Sequence, residues 1–263
     1  MPMRPLVVIS KVNIASQNIK ESILKMENPA KHEDSFWSFS GFDMAEYEPD
    51  IIHIEPGHEA DYYIFASTHK STSGAPGFSV HTPGNWGDAD LGGKPRTLNT
   101  ALPSKIKIIA REMRELSDST LKWPVAVEVD HHGPTLDAPV LFAEIGSTEA
   151  EWKKPEAGRI AAQAILAAIK SDEAFPSYVG FGGSHYSPKF TPKILDGGIA
   201  LGHIISGYAL ERSGLDEGRV RQAMEKNAEK IECALLDWKG MKGETRSKLI
   251  ATLDSLKIKW EKA

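Results

Sequence analysis

Residues 125–134 read Val-Ala-Val-Glu-Val-Asp-His-His-Gly-Pro, an apolar run that ends in acidic residues, two histidines and a turn. Alternate residues of a strand share a face, so Glu128, Asp130 and His132 should lie on one side and His131 on the other. The Gly-Pro pair stops the strand and leaves the polar groups at its carboxyl end, where open α/β sheets bind ligands. This stretch therefore predicts both an α/β fold and a functional site at a strand end.

Strands and helices alternate along the rest of the chain. Residues 140–143 form a continuous apolar run, and Pro155 opens a helix through Lys170 with apolar residues at helical spacing. Apolar runs also predict strands over residues 51–54 and 194–201. We therefore predict one three-layer α/β domain over residues 1–263, with a mixed central sheet flanked by helices.

Composition limits the functional classes. The 263 residues carry a formal net charge of -5, which argues against a general nucleic-acid coat protein but not against recognition of one nucleic-acid end. The single cysteine, Cys233, fits a reducing cytosol and excludes cysteine-based zinc sites. The chain shows neither a signal-peptide core nor an apolar run near the roughly 20 residues of a membrane span. We expect a cytoplasmic protein with no membrane contact.

Histidines are concentrated in short segments rich in glycine, serine or acidic residues. Six of the nine stand in five such segments: His69, His81, His131, His132, His185 and His203. Most of these segments follow an apolar run, so several imidazoles should meet in one crevice at the strand ends. Imidazole ligates borderline metals and transfers protons near neutral pH. Because nucleophile-elbow and Walker motifs are absent from the sequence, water activated by a metal or by histidine is the expected nucleophile.

Several of these residues leave alternatives open. His132 is the better ligand or base of its pair, and His131 is expected to orient a neighbour. Glu144 ends an apolar run, so it is either a metal ligand or general base, or a carboxylate paired with a backbone amide. His203 precedes a predicted helix and either binds a metal or caps that helix.

Two glycine-rich segments are expected to contact a substrate. Successive amides near residues 182–183 can form an anion-binding concavity, and Trp86 either stacks on a base or anchors the packing of its loop. The predicted substrate-loop residues are Gly84, Asn85, Trp86, Asp90, Gly182 and Gly183. The predicted phosphate-binding residues are Lys70, Lys94, Arg96 and Lys154. The alternative for any one of them is an ordinary solvated side chain that binds no phosphate.

A series of short motifs runs through the chain in a distinctive order. They are His69-Lys70-Ser71, Ser79-Val80-His81, Gly84-Asn85, residues 89–95, His131-His132-Gly133-Pro134, residues 144–149, Glu151-Trp152, and Gly182-Gly183 with His185-Tyr186. Their order and spacing resemble the archaeal and plant type of D-aminoacyl-tRNA deacylase. The resemblance implies a phosphorylase/hydrolase-like fold related to peptidyl-tRNA hydrolase, two zinc ions per chain, and cleavage of the ester between a D-amino acid and the tRNA 3′ end.

On this resemblance we expect a monomeric hydrolase that releases D-amino acid and tRNA, and so serves translation quality control and D-amino acid catabolism. A catalytic zinc keeps about three protein ligands. The metal ligands we predict are His81, His132, His185 and Glu144, followed by His69, His203 and Glu128. The catalytic residues we predict are His132, Glu144, His185 and His131, and amides near residues 182–183 are expected to hold the oxyanion.

Two other functions use similar residues. A peptidyl-tRNA hydrolase or zinc amidohydrolase would apply the same polar groups to an amide bond. A non-catalytic tRNA 3′-end binding module would show salt-dependent affinity for tRNA without ester cleavage.

Overall fold

The computed structural model describes residues 4–263, and residues 1–3 of the predicted domain lie outside the described part. Two compact units alternate along the chain. The first comprises Ile108–Ala126, Val140–Asp172 and the described residues up to Val80. The second comprises His81–Lys107, Val127–Pro139 and Glu173–Ala263. The assignment of the whole chain to one domain stays a prediction.

The secondary-structure elements follow one another as the alternation predicts. Up to residue 170 they are β1 (Leu6–Ser10), α1 (Ile14–Met26), β2 (Lys31–Glu33), β3 (Phe36–Ser38), β4 (Asp43–Tyr47), β5 (Tyr63–Lys70), β6 (Gly77–His81), β7 (Gly84–Asn85), β8 (Thr97–Leu98), α2 (Pro103–Asp118), β9 (Val125–Val127), β10 (Val140–Ser147), α3 (Glu149–Trp152) and α4 (Pro155–Lys170). They continue as β11 (Ser177–Phe181), α5 (Thr191–Leu195), β12 (Ala200–Ile205), α6 (Gly207–Ser213), α7 (Glu217–Glu225), β13 (Ile231–Leu236), α8 (Gly243–Ser255) and β14 (Trp260–Lys262). Within residues 4–263, no helix combines the length and apolar character that crossing a membrane demands.

The larger sheet has eight strands in the order β2-β3-β4-β1-β5-β10-β6-β9. Strand β1 runs parallel to β4 and β5, and β10 runs parallel to β5, whereas β2, β3 and β4 pair antiparallel. Strands β1 and β10 are buried along their whole length, as continuous apolar runs predict for strands covered on both faces. The predicted α/β fold with a mixed sheet and flanking helices is confirmed.

Helices α1 and α4 pack closely in the first unit. The predicted bounds of α4 are confirmed, and its buried residues recur at helical spacing. Glycine is required at position 158, because a Cβ there would lie 2.1 Å from Asn18 Oδ1. Asn18 Nδ2 donates to the carbonyl oxygens of Trp152 at 2.9 Å and Lys154 at 2.8 Å. These bonds fix the chain where it enters α4.

A separate sheet of four parallel strands organises the second unit, in the order β12-β11-β13-β14. Phe181 of β11 and Leu236 of β13 pack in one apolar core with Leu249 and Leu253 of α8. The sequence pattern predicts strands and helices in this region but does not indicate that they form a sheet of their own. At the carboxyl end of β11 the chain turns toward His185.

Two predicted strands are wrong. Residues Ile51–His53 form a single 3-10 turn, because the Asp50 carboxylate accepts from Ile51 N at its start. The predicted strand over residues 194–201 is divided between α5 and β12. Pro192 occupies the first turn of α5, where a missing N–H costs nothing, and strand β12 begins only at Ala200.

Candidate active site

The buried carboxylate of Glu128 lies at the centre of a group of histidines in the second unit. We call Glu128, His81, His131, His132 and His185 the histidine cluster. Glu128 Oε2 lies 3.7 Å from His81 Nδ1, 3.6 Å from His131 Nε2 and 3.4 Å from His185 Nε2. The side chains of His81 and Glu128 are fully buried, whereas 34% of the His185 side chain is exposed. His185 is therefore the partner of Glu128 that a substrate reaches most readily.

Two backbone carbonyls fix the tautomers of neutral His131 and His132. His131 Nδ1 lies 2.8 Å from the oxygen of Val129, and His132 Nδ1 lies 2.6 Å from the oxygen of Gly133. Because a carbonyl oxygen only accepts, each Nδ1 carries the proton and each Nε2 keeps its lone pair. His132 Nε2 faces His81 Nε2 at 3.2 Å. The lone pairs suited to ligation therefore point into the histidine cluster.

The donor atoms of the histidine cluster fit a divalent metal ion. His81, His131 and His132 each offer one ring nitrogen, and these three atoms lie within 4.8 Å of one another. Two nitrogens bound to a tetrahedral zinc ion lie about 3.3 Å apart, close to the 3.2 Å between His81 Nε2 and His132 Nε2. The carboxylate of Glu128 faces the lone pair of His131 Nε2, an arrangement that a cation relieves. The cluster can therefore hold a metal.

His203 occupies a different position from the one predicted. Its ring is fully buried, with Nδ1 2.5 Å from Asp130 Oδ2 and Nε2 2.7 Å from the carbonyl oxygen of Lys226. Asp130 Oδ1 accepts from Ile204 N at 2.8 Å, and Asp130 N donates to Ile204 O at 2.9 Å. Both ring nitrogens are engaged, so the predicted ligand role of His203 is corrected to a structural one. The pair fastens the segment after β9 to β12.

The turn that carries His132 requires glycine at position 133. A Cβ on Gly133 would lie 2.4 Å from Gly93 N, and Gly133 N donates to Leu91 O at 3.1 Å. His132 itself has a φ of 46°, in the left-handed region that non-glycine residues seldom adopt. Such conformations recur at functional sites, where the surrounding structure holds them in place.

Asn99 ties together the two segments that follow His81 and His132. Its buried Nδ2 donates to Pro83 O at 2.7 Å and to Pro134 O at 2.8 Å, and its Oδ1 accepts from Leu136 N at 2.7 Å. No motif in the sequence marks Asn99, which stands alone between Leu98 and Thr100. Only the fold reveals its role.

The predicted substrate loop is ordered by its own polar groups. Gly84 N donates to His131 O at 3.2 Å, which attaches β7 to the histidine cluster. Asn85 Nδ2 donates to the carbonyl oxygens of Gly92 at 2.9 Å and Lys94 at 3.2 Å. These bonds close residues 85–94 into a compact loop.

Trp86 anchors this loop. Its side chain is buried, and the indole N–H donates to Gly214 O at 2.8 Å. Of the two alternatives for Trp86, packing therefore fits the structure, and base stacking does not. Asp90 stands at the exposed tip, with its Oδ2 3.9 Å from Arg212 Nη2.

The backbone amides after β11 are already used inside the protein. Gly182 N donates to Ile205 O, and Gly183 N donates to Gly240 O, both at 2.8 Å. These two amides are therefore not free to hold an oxyanion, and a role for other amides near them stays a prediction. Both glycines have positive φ, and a Cβ on Gly182 would lie 2.9 Å from Asp237 O. The glycines permit this close packing and bring His185 to Glu128.

A smaller polar group in the first unit contains His69 and Glu144. His69 Nδ1 lies 3.6 Å from Glu144 Oε2, and the same oxygen accepts from Ser79 Oγ at 3.2 Å. In the register of β5 and β10, Gly146 lies opposite His69, and a Cβ on Gly146 would lie 2.8 Å from the His69 ring. The roles of His69 and Glu144 in metal binding or catalysis stay predictions.

A family model described as D-aminoacyl-tRNA deacylase matches residues 56–261, which include the whole histidine cluster. The chain belongs to the D-aminoacyl-tRNA deacylase family. It is 36% identical over 275 residues to the D-aminoacyl-tRNA deacylase of Thermococcus kodakarensis, covering 97% of this chain and 98% of that protein. It is 39% identical over 270 residues to the Methanosarcina barkeri deacylase, covering 95% of this chain and 86% of the relative.

The fold of this deacylase is also that of a solved protein. The crystal structure of a conserved protein of unknown function matches it with a TM-score of 0.91 and 30% identity, over 99% of this chain and 95% of that one. The family and the enzyme class predicted from the motifs, a hydrolase of D-aminoacyl-tRNA, are confirmed.

The four basic residues predicted to contact phosphates are exposed in the deacylase. Lys70 ends β5 with its Nζ 6.0 Å from the ring of Trp152, and Lys154 precedes α4. Lys94 and Arg96 lie in the loop between β7 and β8, where Arg96 N donates to Gly87 O at 2.7 Å. Their contact with tRNA stays a prediction.

Acidification should lower the unfolding free energy of the metal-free protein, because the buried His131 ring has a low pKa. Burial, reinforced by neighbouring His132, lowers the pKa of His131 from 6.5 to about 4. A folded-state pKa below the unfolded value means that the unfolded chain binds the proton first, so stability falls as the pH drops from about 6.5 to about 4. Urea unfolding of chelator-treated protein across this window should show the loss, and His131→Gln should show less of it. The same pH dependence in both proteins would contradict this assignment.

Proposed function

We propose that this chain hydrolyses the ester between a D-amino acid and the 3′ end of tRNA at the histidine cluster. The observation that carries the proposal is the buried carboxylate of Glu128, which faces ring nitrogens of His81, His131 and His185 at 3.4–3.7 Å. Three histidines from separate segments around one buried anion form a site for metal binding and proton transfer.

We further propose that zinc is the metal, with His81, His131 and His132 as its protein ligands. Imidazole is a common zinc ligand, and three protein ligands are usual for a catalytic ion. When bound, zinc supplies Lewis-acid polarisation of the ester carbonyl. The count of two ions per chain belongs to the same proposal, and elemental analysis of the purified protein measures it.

His185 is the proposed general base and acid. Its Nε2 lies 3.4 Å from Glu128 Oε2, and 34% of its side chain is exposed, so the ring can reach both the carboxylate and a substrate. His185 takes a proton from the attacking water as the bond between water oxygen and acyl carbon forms. It returns the proton to the ribose oxygen as the ester bond breaks. The hydroxyl of the water thus ends on the amino acid, and its proton ends on the tRNA.

The direct test is deacylation of D-tyrosyl-tRNA and L-tyrosyl-tRNA with and without a chelator. We expect faster release from the D-ester, loss of activity with chelator, and recovery when zinc is returned. Equal rates for both esters would contradict D-specificity, and full activity in metal-free protein would contradict the zinc site. Cleavage of N-blocked peptidyl-tRNA in place of the D-ester would favour a peptidyl-tRNA hydrolase, and tRNA binding without cleavage would favour a binding module.

We also propose that the enzyme is a cytoplasmic monomer. The only cysteine, Cys233, is buried in the core, which suits a reducing compartment. Light scattering on the purified protein measures the oligomeric state directly.

A further inference from the structure

A basic groove of about 530 Å³ lies in the second unit. Its lining residues include Pro188, Lys189, Asp237, Trp238, Lys239 and Lys262. The three lysines are exposed, and none has an ion-pair partner in the part of the chain that the structure describes. The acidic side chain among them, Asp237, accepts from Gly240 N at 3.1 Å through its Oδ1. The groove therefore presents a local positive charge on a chain whose net charge is -5.

Trp238 orders the cations beside this groove. Lys262 Nζ lies 3.9 Å from the centre of the Trp238 ring, and Arg246 Cζ lies 4.4 Å from it. Arg246 Nη1 also donates to Trp238 O at 2.7 Å. Because the face of an indole ring attracts cations, contact with the Trp238 ring limits the motion of both side chains. A preordered cation such as Lys262 binds an anion at a lower entropic cost.

The groove borders the loop that carries His185. One wall contains Lys189, four residues after His185, and the other contains residues 237–239, which Gly240 follows. That second wall touches the preceding turn, since Gly183 N donates to Gly240 O at 2.8 Å and a Cβ on Gly182 would lie 2.9 Å from Asp237 O. A polyanion bound in the groove therefore lies against the loop that carries His185.

We infer that this groove binds the phosphate backbone of the tRNA acceptor end, with Lys189, Lys239 and Lys262 as the contacting residues. The inference rests on the proposed function, because the ester must enter the histidine cluster. The nucleotides that precede the ester must then cross a neighbouring surface. Phosphate contacts of this kind position the substrate without reading its sequence.

The test compares two double variants of the full-length protein with equal loss of charge. K189A/K239A removes two groove lysines. The control, K230A/K248A, removes two exposed lysines of the same unit, of which Lys248 pairs with Glu244 outside the groove. Each protein is assayed on D-tyrosyl-tRNA and on 3′-D-tyrosyl-adenosine, which carries the same ester but no phosphate.

For K189A/K239A we expect the KM for D-tyrosyl-tRNA to rise about tenfold with kcat unchanged. The slope of log(kcat/KM) against log salt should fall by about two. Hydrolysis of the adenosine ester should match wild type. An unchanged KM, an equal rise in the control variant, or an equal loss on the adenosine ester would each overturn the inference.

Binding of uncharged tRNA, followed by fluorescence anisotropy, tests the groove separately from the chemistry. If the wild-type protein cleaves neither D-ester, the proposed function fails. In that case, weaker tRNA binding by K189A/K239A than by the control variant still supports binding of tRNA in the groove. Equal binding by the two variants counts against it.

Discussion

Replacing His132 with alanine should lower kcat for D-tyrosyl-tRNA hydrolysis by about a thousandfold. His132 Nε2 lies 3.2 Å from His81 Nε2, and its Nδ1 lies 2.6 Å from Gly133 O, which holds the lone pair of Nε2 toward the histidine cluster. Removing this ring takes away one proposed ligand and the group that faces His81. The turn itself is held by Gly133 N, which donates to Leu91 O, and by Asn99 Nδ2, which donates to Pro134 O, so the fold should persist without the His132 ring.

Three measurements on His132→Ala separate this explanation from simple unfolding. Thermal unfolding should show a folded protein, zinc content should fall, and turnover should fall with it. His53→Ala provides the matched control, because His53 is exposed and lies outside the histidine cluster. Normal turnover in His132→Ala would mean that the active site is elsewhere.

Replacing His203 with alanine should cost about 3–5 kcal/mol of unfolding free energy. Both side chains of the Asp130–His203 pair are almost wholly buried, and Nδ1 lies 2.5 Å from Oδ2. Without the ring, the buried Asp130 Oδ2 loses its partner, and the carbonyl oxygen of Lys226 keeps only Ala101 N as a donor. Urea unfolding at neutral pH measures the loss.

Asp130→Asn should be much milder, below about 1.5 kcal/mol. The asparagine oxygen still accepts from Ile204 N, its amide donates to Nδ1 of a neutral His203, and Nε2–H still donates to Lys226 O. Asp130→Asn thus keeps all the hydrogen bonds of the pair and removes the charge of the carboxylate. Equal losses in His203→Ala and Asp130→Asn would show that the hydrogen bonds are not the main source of stability here.

Long patterned segments allowed much of the fold to be predicted from the sequence. Helix α4 was predicted at its observed bounds, because Pro155 and a buried stripe at helical spacing define it without tertiary information. Residues 51–54 were assigned wrongly because three isoleucines around one histidine fit a strand or a turn equally well, and the cap from Asp50 decided the outcome. The division of the strands among separate sheets depends on long-range pairing, which local patterns do not encode.

The histidines of the candidate site could be identified, but their arrangement could not. Alternation along a strand placed His131 and His132 on opposite faces. Strand β9 ends at Val127, so the alternation stops before either residue, and His132, with its left-handed φ, places its ring beside those of His81 and His131. Glu128 was ranked among the secondary ligands, although its position on the polar face of the stretch was the available signal.

The carbonyl-held tautomers of His131 and His132 bear on how quickly a metal can be captured. With each Nδ1–H already bonded to backbone, both donor lone pairs are aimed before an ion arrives. At neutral pH the low pKa of His131 also means that its Nε2 carries no proton that an ion would have to displace. Capture of an ion at this position then requires neither rotation of the ring nor loss of a proton.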